Sequence, residues 1–327
     1  MNKHILGSAA ILIFVGIGWY AMPRHALANP LSTAPIAPTA PIATTATRLL
    51  GIKGWDNLTD IVTFDTWLGR STDYGLVFGG HDKGWADFGG SIWYITDVWK
   101  SVPSRKLLWS VPLIVSQGPT PIATLAEAAA GKYDDNYLWV AQQIVAREPN
   151  AVIRIGWEFN GDWYPWQASL DVQGYIGAFR DMVRVFRSVS PNFTFMWCPN
   201  IGIFNSDPAL AYPGNDVVDI IGMDIYEDSR WDIGTPDERW NSFLTRQDRG
   251  LNWLASFAAA NAKPISIPEW ATNYDDGSFI RHMHDWMLAN NVVMQSYWDS
   301  DADFSGSFAT HPANGALYKE LFQRWSY

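Results

Sequence analysis

The stretch V-I-R-I-G-W-E-F-N-G-D-W-Y-P-W, residues 152–166, begins as an apolar run of the β type and ends on a single carboxylate, Glu158, set among three tryptophans and an asparagine. Val152–Trp157 predicts a buried strand, and the polar, Gly- and Pro-bearing continuation predicts a loop. An unpaired charge at the end of such a strand is costly, so a surface role fits Glu158 poorly. Sugar rings present apolar C–H faces that stack on indoles, and cleaving a glycosidic bond requires a carboxylic acid that can protonate the leaving oxygen. The segment therefore reads as part of a sugar-cleaving site, with Trp157, Asn160, Trp163 and Trp166 as candidate substrate contacts. Such chemistry needs a second carboxylate, and Glu269 supplies it in P-I-S-I-P-E-W (residues 264–270), with Trp270 beside it.

Outward from this segment the chain alternates apolar runs with amphipathic stretches, the pattern of repeated βα units. Strands are expected at 49–53, 74–78, 106–114, 152–157, 193–197, 217–223, 264–267 and 292–297. The clearest helices are expected at 124–147, 172–189, 237–260, 277–289 and 315–325, with a short helix inside a longer loop at 55–70. Thr124 followed by Glu127 is a capping-box pattern. Eight such units predict an α/β fold of the TIM-barrel type, a (β/α)8 barrel whose functional face lies at the strands' C-terminal ends. No G-x-G-x-x-G turn follows the first strand, as an open dinucleotide-binding sheet would require. Glu158 then falls at the end of strand four and Glu269 at the end of strand seven, at one barrel mouth. A retaining pair needs carboxyls about 5–5.5 Å apart, a distance that two strands across a narrow barrel can supply.

Further candidates sit at the same face. His81 and Asp82 follow strand two and are placed to bind a substrate hydroxyl, Asp65 or Trp67 after strand one to shape a subsite, and Asp224 to support the site. His282 and His284, two apart on a helix, face different directions and do not suggest a shared metal. Asp299, Asp301 and Asp303 lack the spacing of an EF-hand. Neither a metal nor a cofactor is expected. The single cysteine, Cys198, lies in the apolar run F-T-F-M-W-C, and a buried structural thiol is expected there.

Bulk properties narrow the partners. Twenty-three basic against 33 acidic residues, a net charge of −10, leave no footprint for nucleic acid or anionic membranes. Nineteen tryptophans exceed what core packing ordinarily calls for, and those beside the carboxylates are candidate stacking platforms. A basic start, an apolar stretch from Ile5 to Met22 and Ala26-Leu27-Ala28 make residues 1–28 a signal peptide, or an uncleaved membrane anchor. Residues 29–47, rich in Pro, Ala and Thr, read as a flexible linker, and residues 48–327 as one catalytic barrel. A monomer in a secreted or periplasmic location is expected, with a membrane contact only if the N-terminal segment is retained.

The pattern E-x-x-G-x-W-x-x-W, present as Glu158, Gly161, Trp163 and Trp166 and preceded by Arg154, resembles the acid/base signature of glycoside hydrolase family 26, the β-mannanase family of the retaining (β/α)8 clan. Trp197–Asn200 (W-C-P-N), Asp219–Tyr226 and Ile267–Trp270 fall in the family's order, so the resemblance spans roughly residues 150–300. It implies Glu158 as acid/base, Glu269 as nucleophile, and Tyr226 as the phenol that hydrogen-bonds the nucleophile. It also implies that Trp163, Trp166 and Trp298 line sugar subsites. Arg154 and Tyr226 together would favour the anion at Glu269, and Arg154 could equally be a structural partner beneath the mouth. The chain departs at Trp157, where family members typically carry a histidine that helps recognise the substrate near the cleavage point; the departure leaves the reaction type in place and the sugar open. The expected partner is a polysaccharide or oligosaccharide. The alternatives are the same barrel acting on β-glucan, xylan or a bacterial exopolysaccharide, and a non-catalytic glycan-binding protein.

Overall fold

Eight parallel strand positions close into a barrel. The strands are β1 (Leu49–Lys53), β2 (Tyr74–Phe78) and β3 (Lys106–Val111), then after a small hairpin, β4 (Ser116–Gln117) and β5 (Thr120–Pro121), come β6 (Val152–Ile155) and β7 (Thr194–Trp197). The sixth position is split into β8 (Ile220–Gly222) and β9 (Ile225–Glu227), followed by β10 (Ile265–Thr272) and β11 (Met294–Tyr297). Apart from the antiparallel β4–β5 hairpin, the strands pair in parallel around the barrel, β8 and β9 each pairing with β10, and β1 pairs with both β2 and β11, which closes the ring. The structure, a computed structural model, describes residues 48–53 and 58–325. The expected signal peptide and linker lie outside these residues.

Nine helices are described: α1 (Leu58–Leu68), α2 (Gly84–Trp99), α3 (Leu125–Ala129), α4 (Asp134–Arg147), α5 (Val172–Val189), α6 (Pro236–Thr245), α7 (Leu251–Ala260), α8 (Ser278–Ala289) and α9 (Pro312–Phe322). The expected (β/α)8 architecture is the one found. α5 shows how sequence dictates it. Asp171 caps the first turn by accepting from the Gly174 N–H at 2.8 Å, and Tyr175, Phe179, Met182, Val183 and Phe186 form the buried stripe. Burying each large member of that stripe contributes about 1.5–3 kcal/mol.

The boundaries differ from expectation where backbone chemistry intervenes. The 106–114 strand stops at Val111, before Pro112, and the 152–157 strand stops at Ile155 because Gly156 and Glu158 take positive φ, 47° and 51°. The 217–223 run splits around Met223 and Asp224, whereas the seventh strand runs on to Thr272. The 124–147 helix breaks at Gly131, φ 79°, and the 237–260 helix breaks over Arg246–Gly250. At Gly250 a Cβ would lie 2.4 Å from the Phe243 carbonyl oxygen. The helix within 55–70 is an ordinary one, α1. α2 was not among the clear expectations because three glycines lower its propensity, yet Phe88, Ile92, Ile95 and Trp99 bury one face.

Candidate active site

Arg154 organises the barrel interior. Its partner in register on β3 is Ser110, which places both on one side of the sheet, and its Nε donates to Ser110 Oγ at 3.0 Å. Its Nη1 donates to both oxygens of Asp224 at 3.0 Å, and its Nη2 donates to Glu269 Oε1. Burial works against this charge, but Asp224 and Glu269 hold the guanidinium protonated well above its usual range. The Cys198 thiol, fully buried, adds a donor to Asp224 Oδ1 at 3.3 Å. Asp224 is thus wholly enclosed, and its role is to fix Arg154 rather than to touch substrate.

Glu269 reaches the site through an irregularity. The β10–β11 register shifts between Ile267 and Trp270, and Pro268, lacking an N–H, sits within the shift. The Glu269 carboxylate lies between the Arg154 guanidinium and the Tyr226 hydroxyl, which donates to Oε2 at 2.8 Å. Both oxygens are engaged, and the anion's charge is directly compensated.

Glu158 has a different environment. Its backbone is in the left-handed region, fixed by an N–H bond to the Cys198 carbonyl at 2.8 Å, and the residue is 9 % exposed. Asn200 Nδ2 donates to Oε1 at 2.5 Å and Trp163 Nε1 donates to Oε2 at 2.7 Å. Burial, then the negative charge of Glu269, raises its pKa from 4.5 to about 7, against the opposing bonds from Asn200 and Trp163. At the one mouth, then, a proton-holding carboxyl faces a charge-compensated carboxylate.

The tryptophans divide. Trp163 is 43 % exposed, and its indole lies so close over Gly161 that a Cβ there would meet the ring at 2.3 Å. Phe204 meets it edge-on at 5.2 Å, forming an open aromatic shelf beside Glu158. Trp298, nearly buried, edges Tyr226 at 6.3 Å, with the Lys53 ammonium 4.3 Å over its ring. Three expected contacts are displaced. Trp166 is fully buried and donates to the Trp157 carbonyl at 2.7 Å; Trp270 is fully buried, donates to Gln295 Oε1 at 2.7 Å and packs on Tyr297 and Phe322. Trp157 is 2 % exposed, its ring enclosed by Phe78, Tyr164 and Trp166. Buried on all sides, these indoles are walls, not platforms.

Asn160 is likewise internal. Its Nδ2 donates to the Asn200 and Gly202 carbonyls, and its Oδ1 accepts from the Asn200 N–H, so it sets Asn200 against Glu158. His81 stands edge-on to Tyr164 and Trp166 at 5.3 and 5.2 Å, its Nδ1 buried without a partner among the described residues, and burial lowers its pKa. Asp65 bonds Thr72 and Arg105, and Trp67 packs on Phe64 and Phe308, so neither shapes the mouth. Two residues that bond the site's side chains were not singled out by the sequence. Asn200 stood in W-C-P-N without a role, and Tyr164 stood between the tryptophans; a polar or phenolic residue next to a motif position was the available signal.

A family model described as Glycosyl hydrolase family 26 matches residues 140–237, so the family that the motifs resemble is the one found. Endoglucanase H of Acetivibrio thermocellus is 33 % identical over 181 residues, 51 % of this chain and 18 % of that protein. A mannan endo-1,4-beta-mannosidase of Bifidobacterium adolescentis is 25 % identical over 166 residues, 46 % of this chain and 16 % of that protein. The chain thus spans less than a fifth of these relatives. Among solved structures, a β-mannanase from Bacteroides ovatus aligns with TM-score 0.57 at 15 % identity over 86 % of this chain and 89 % of that one. An endo-β-1,4-mannanase double mutant from Cellulomonas fimi aligns with TM-score 0.62 at 18 % identity, over 85 % and 70 %. These structural likenesses concern the fold.

Proposed function

From a barrel whose residues 140–237 match glycosyl hydrolase family 26, we propose a retaining endo-acting β-glycanase in which Glu158 is the acid/base and Glu269 the nucleophile. The observation that carries this reading is the opposite treatment of two carboxyls at one mouth. Glu158 is raised to about 7 and can hold a proton, while Glu269 faces the Arg154 guanidinium and the Tyr226 hydroxyl. Glu269 attacks the anomeric carbon as Glu158 gives its proton to the leaving oxygen, forming a glycosyl-enzyme ester. Glu158, now anionic, takes a proton from water, which hydrolyses the ester and restores both groups. Trp163 supports one sugar ring by stacking. A β-linked polysaccharide fits both curated relatives, whose names specify a glucan and a mannan activity. The basic, apolar, A-L-A pattern of residues 1–28 supports action outside the cytoplasm.

The test is proton NMR of the first product from a panel of β-glucan, mannan and xylan, with wild type beside Glu269→Ala. Retained anomeric configuration, lost on the order of a thousandfold or more in rate with the substitution, is expected. An inverted first product, or cleavage untouched by Glu269→Ala, refutes the assignment.

A further inference from the structure

Tyr164 stands at the catalytic mouth with a hydroxyl whose own hydrogen finds no acceptor. The Trp157 indole Nε1 donates to the Tyr164 oxygen at 3.0 Å, and no protein group accepts from that oxygen among the described residues. The ring cannot swing away. It stacks flat on Trp166, with centroids 4.5 Å apart and planes 11° apart, and the His81 ring closes against both edge-on. A phenolic hydrogen lies near the ring plane on one of two sides, and the Trp157 N–H occupies one of them. The hydrogen is thereby directed to the other.

The two nearby carboxyls are already engaged. Glu158 accepts from Asn200 and Trp163, and Glu269 from Arg154 and Tyr226. Burial, then the charges of Glu158 and Glu269, raises the Tyr164 hydroxyl well above its usual range, so it stays a donor. Trp157, almost wholly buried, has spent its one N–H on Tyr164 and has none left for a ligand.

Resting on the glycanase reading, we propose that Tyr164 is a specificity-determining residue that donates its hydrogen bond to one hydroxyl of the sugar whose anomeric carbon is attacked, and that Trp157 is the positioning residue that aims it. Trp157, buried and bonded to Tyr164, thus acts through Tyr164 instead of by touching the sugar. A ring lacking the matched hydroxyl leaves that aimed donor unpaired and is disfavoured.

The test uses the full chain and aryl β-glycosides of the sugar that the wild type cleaves, as a series in which the hydroxyls of the attacked ring are removed one at a time. Wild type, Tyr164→Phe and Trp157→Phe are compared by kcat/KM; both substitutions keep an aromatic ring in place. Tyr164→Phe is expected to lower kcat/KM for the complete sugar about tenfold, the scale of one neutral hydrogen bond. It should also abolish the wild-type penalty for one deoxy position while leaving the other penalties unchanged. Trp157→Phe should shrink the penalty at that same position. A structural role alone would lower all substrates by one common factor, and that result overturns the proposal, as does an unchanged kcat/KM. If the wild type cleaves no β-glycoside, the glycanase reading falls and this proposal with it. Cleavage without the selective coupling removes only the proposal.

Discussion

Replacing Glu158 by glutamine is expected to move stability relative to wild type by about 3 kcal/mol in the variant's favour between about pH 4 and about pH 8. The residue is 9 % exposed, and its pKa rises from 4.5 to about 7, first through burial and then through the charge of Glu269. A raised carboxyl pKa means that the folded state holds a proton which the unfolded state has lost. Stability from this group is therefore fully present below the unfolded value, near 4.5, and declines as pH rises towards 7. The full decline is about 3 kcal/mol, on the order of 1.4 kcal/mol for each tenfold change in proton affinity. Glutamine carries no charge at any pH, but its NH2 cannot accept, so one of the Asn200 and Trp163 donors loses its acceptor in the variant, a cost that does not change with pH. At high pH only the wild type carries the buried charge, so Glu158→Gln should gain about 3 kcal/mol on wild type between about pH 4 and about pH 8. Urea unfolding of both proteins across the range is the assay, with catalysis lost in the variant as the accompanying sign of function. A stability difference that is flat with pH, or one that moves in the wild type's favour as pH rises, would refute the reasoning.

Three other outcomes follow from the same geometry. In pH–rate profiles, kcat/KM should fall above about pH 7 as Glu158 loses its proton, with the corresponding limb of kcat at higher pH. Arg154→Leu leaves Asp224 and Glu269 as buried carboxylates without their cation, and should cost about 3–5 kcal/mol in denaturant unfolding or prevent folding. Trp163→Ala should raise KM with little change in Tm, whereas Trp270→Ala should lower stability by about 3–5 kcal/mol, the range for emptying a buried indole site, as read by thermal melting.

What could be read from the sequence was whatever rests on periodicity and on costly residues. The eight βα units show as apolar runs, and Glu158 and Glu269 stand out because each ends or interrupts such a run. The limits of the elements were less legible, since they depend on single backbone torsions. Nothing local announces that Gly156 and Glu158 turn to positive φ, or that the register shifts between Ile267 and Trp270. The tryptophans misled in a regular way. A motif gives the identity of Trp166 and Trp270 but not which face of the loop or strand they occupy, and both turned inward to bond Trp157 and Gln295. Asn160 looked like a substrate contact because amides often are. Its partners, 40 and 42 residues away in sequence, became evident only once β6 and β7 were paired.

The proton on Glu158 is a property of the whole buried array, since one cation, Arg154, faces two carboxylates, Asp224 and Glu269. Burial also pushes Asp224 well above the usual carboxylate range, and the charge of Glu269 opposes ionisation of Glu158 beyond its own desolvation. Trp163 couples this electrostatic state to substrate. Its N–H holds Glu158 Oε2 while its face stands open to the cleft. A sugar ring laid on that face removes water from the neighbouring carboxyl as it binds, and less water disfavours the anion further. On the proposed reading, substrate stacking and retention of the catalytic proton are joined in one side chain, and the kcat limb should lie above that of kcat/KM.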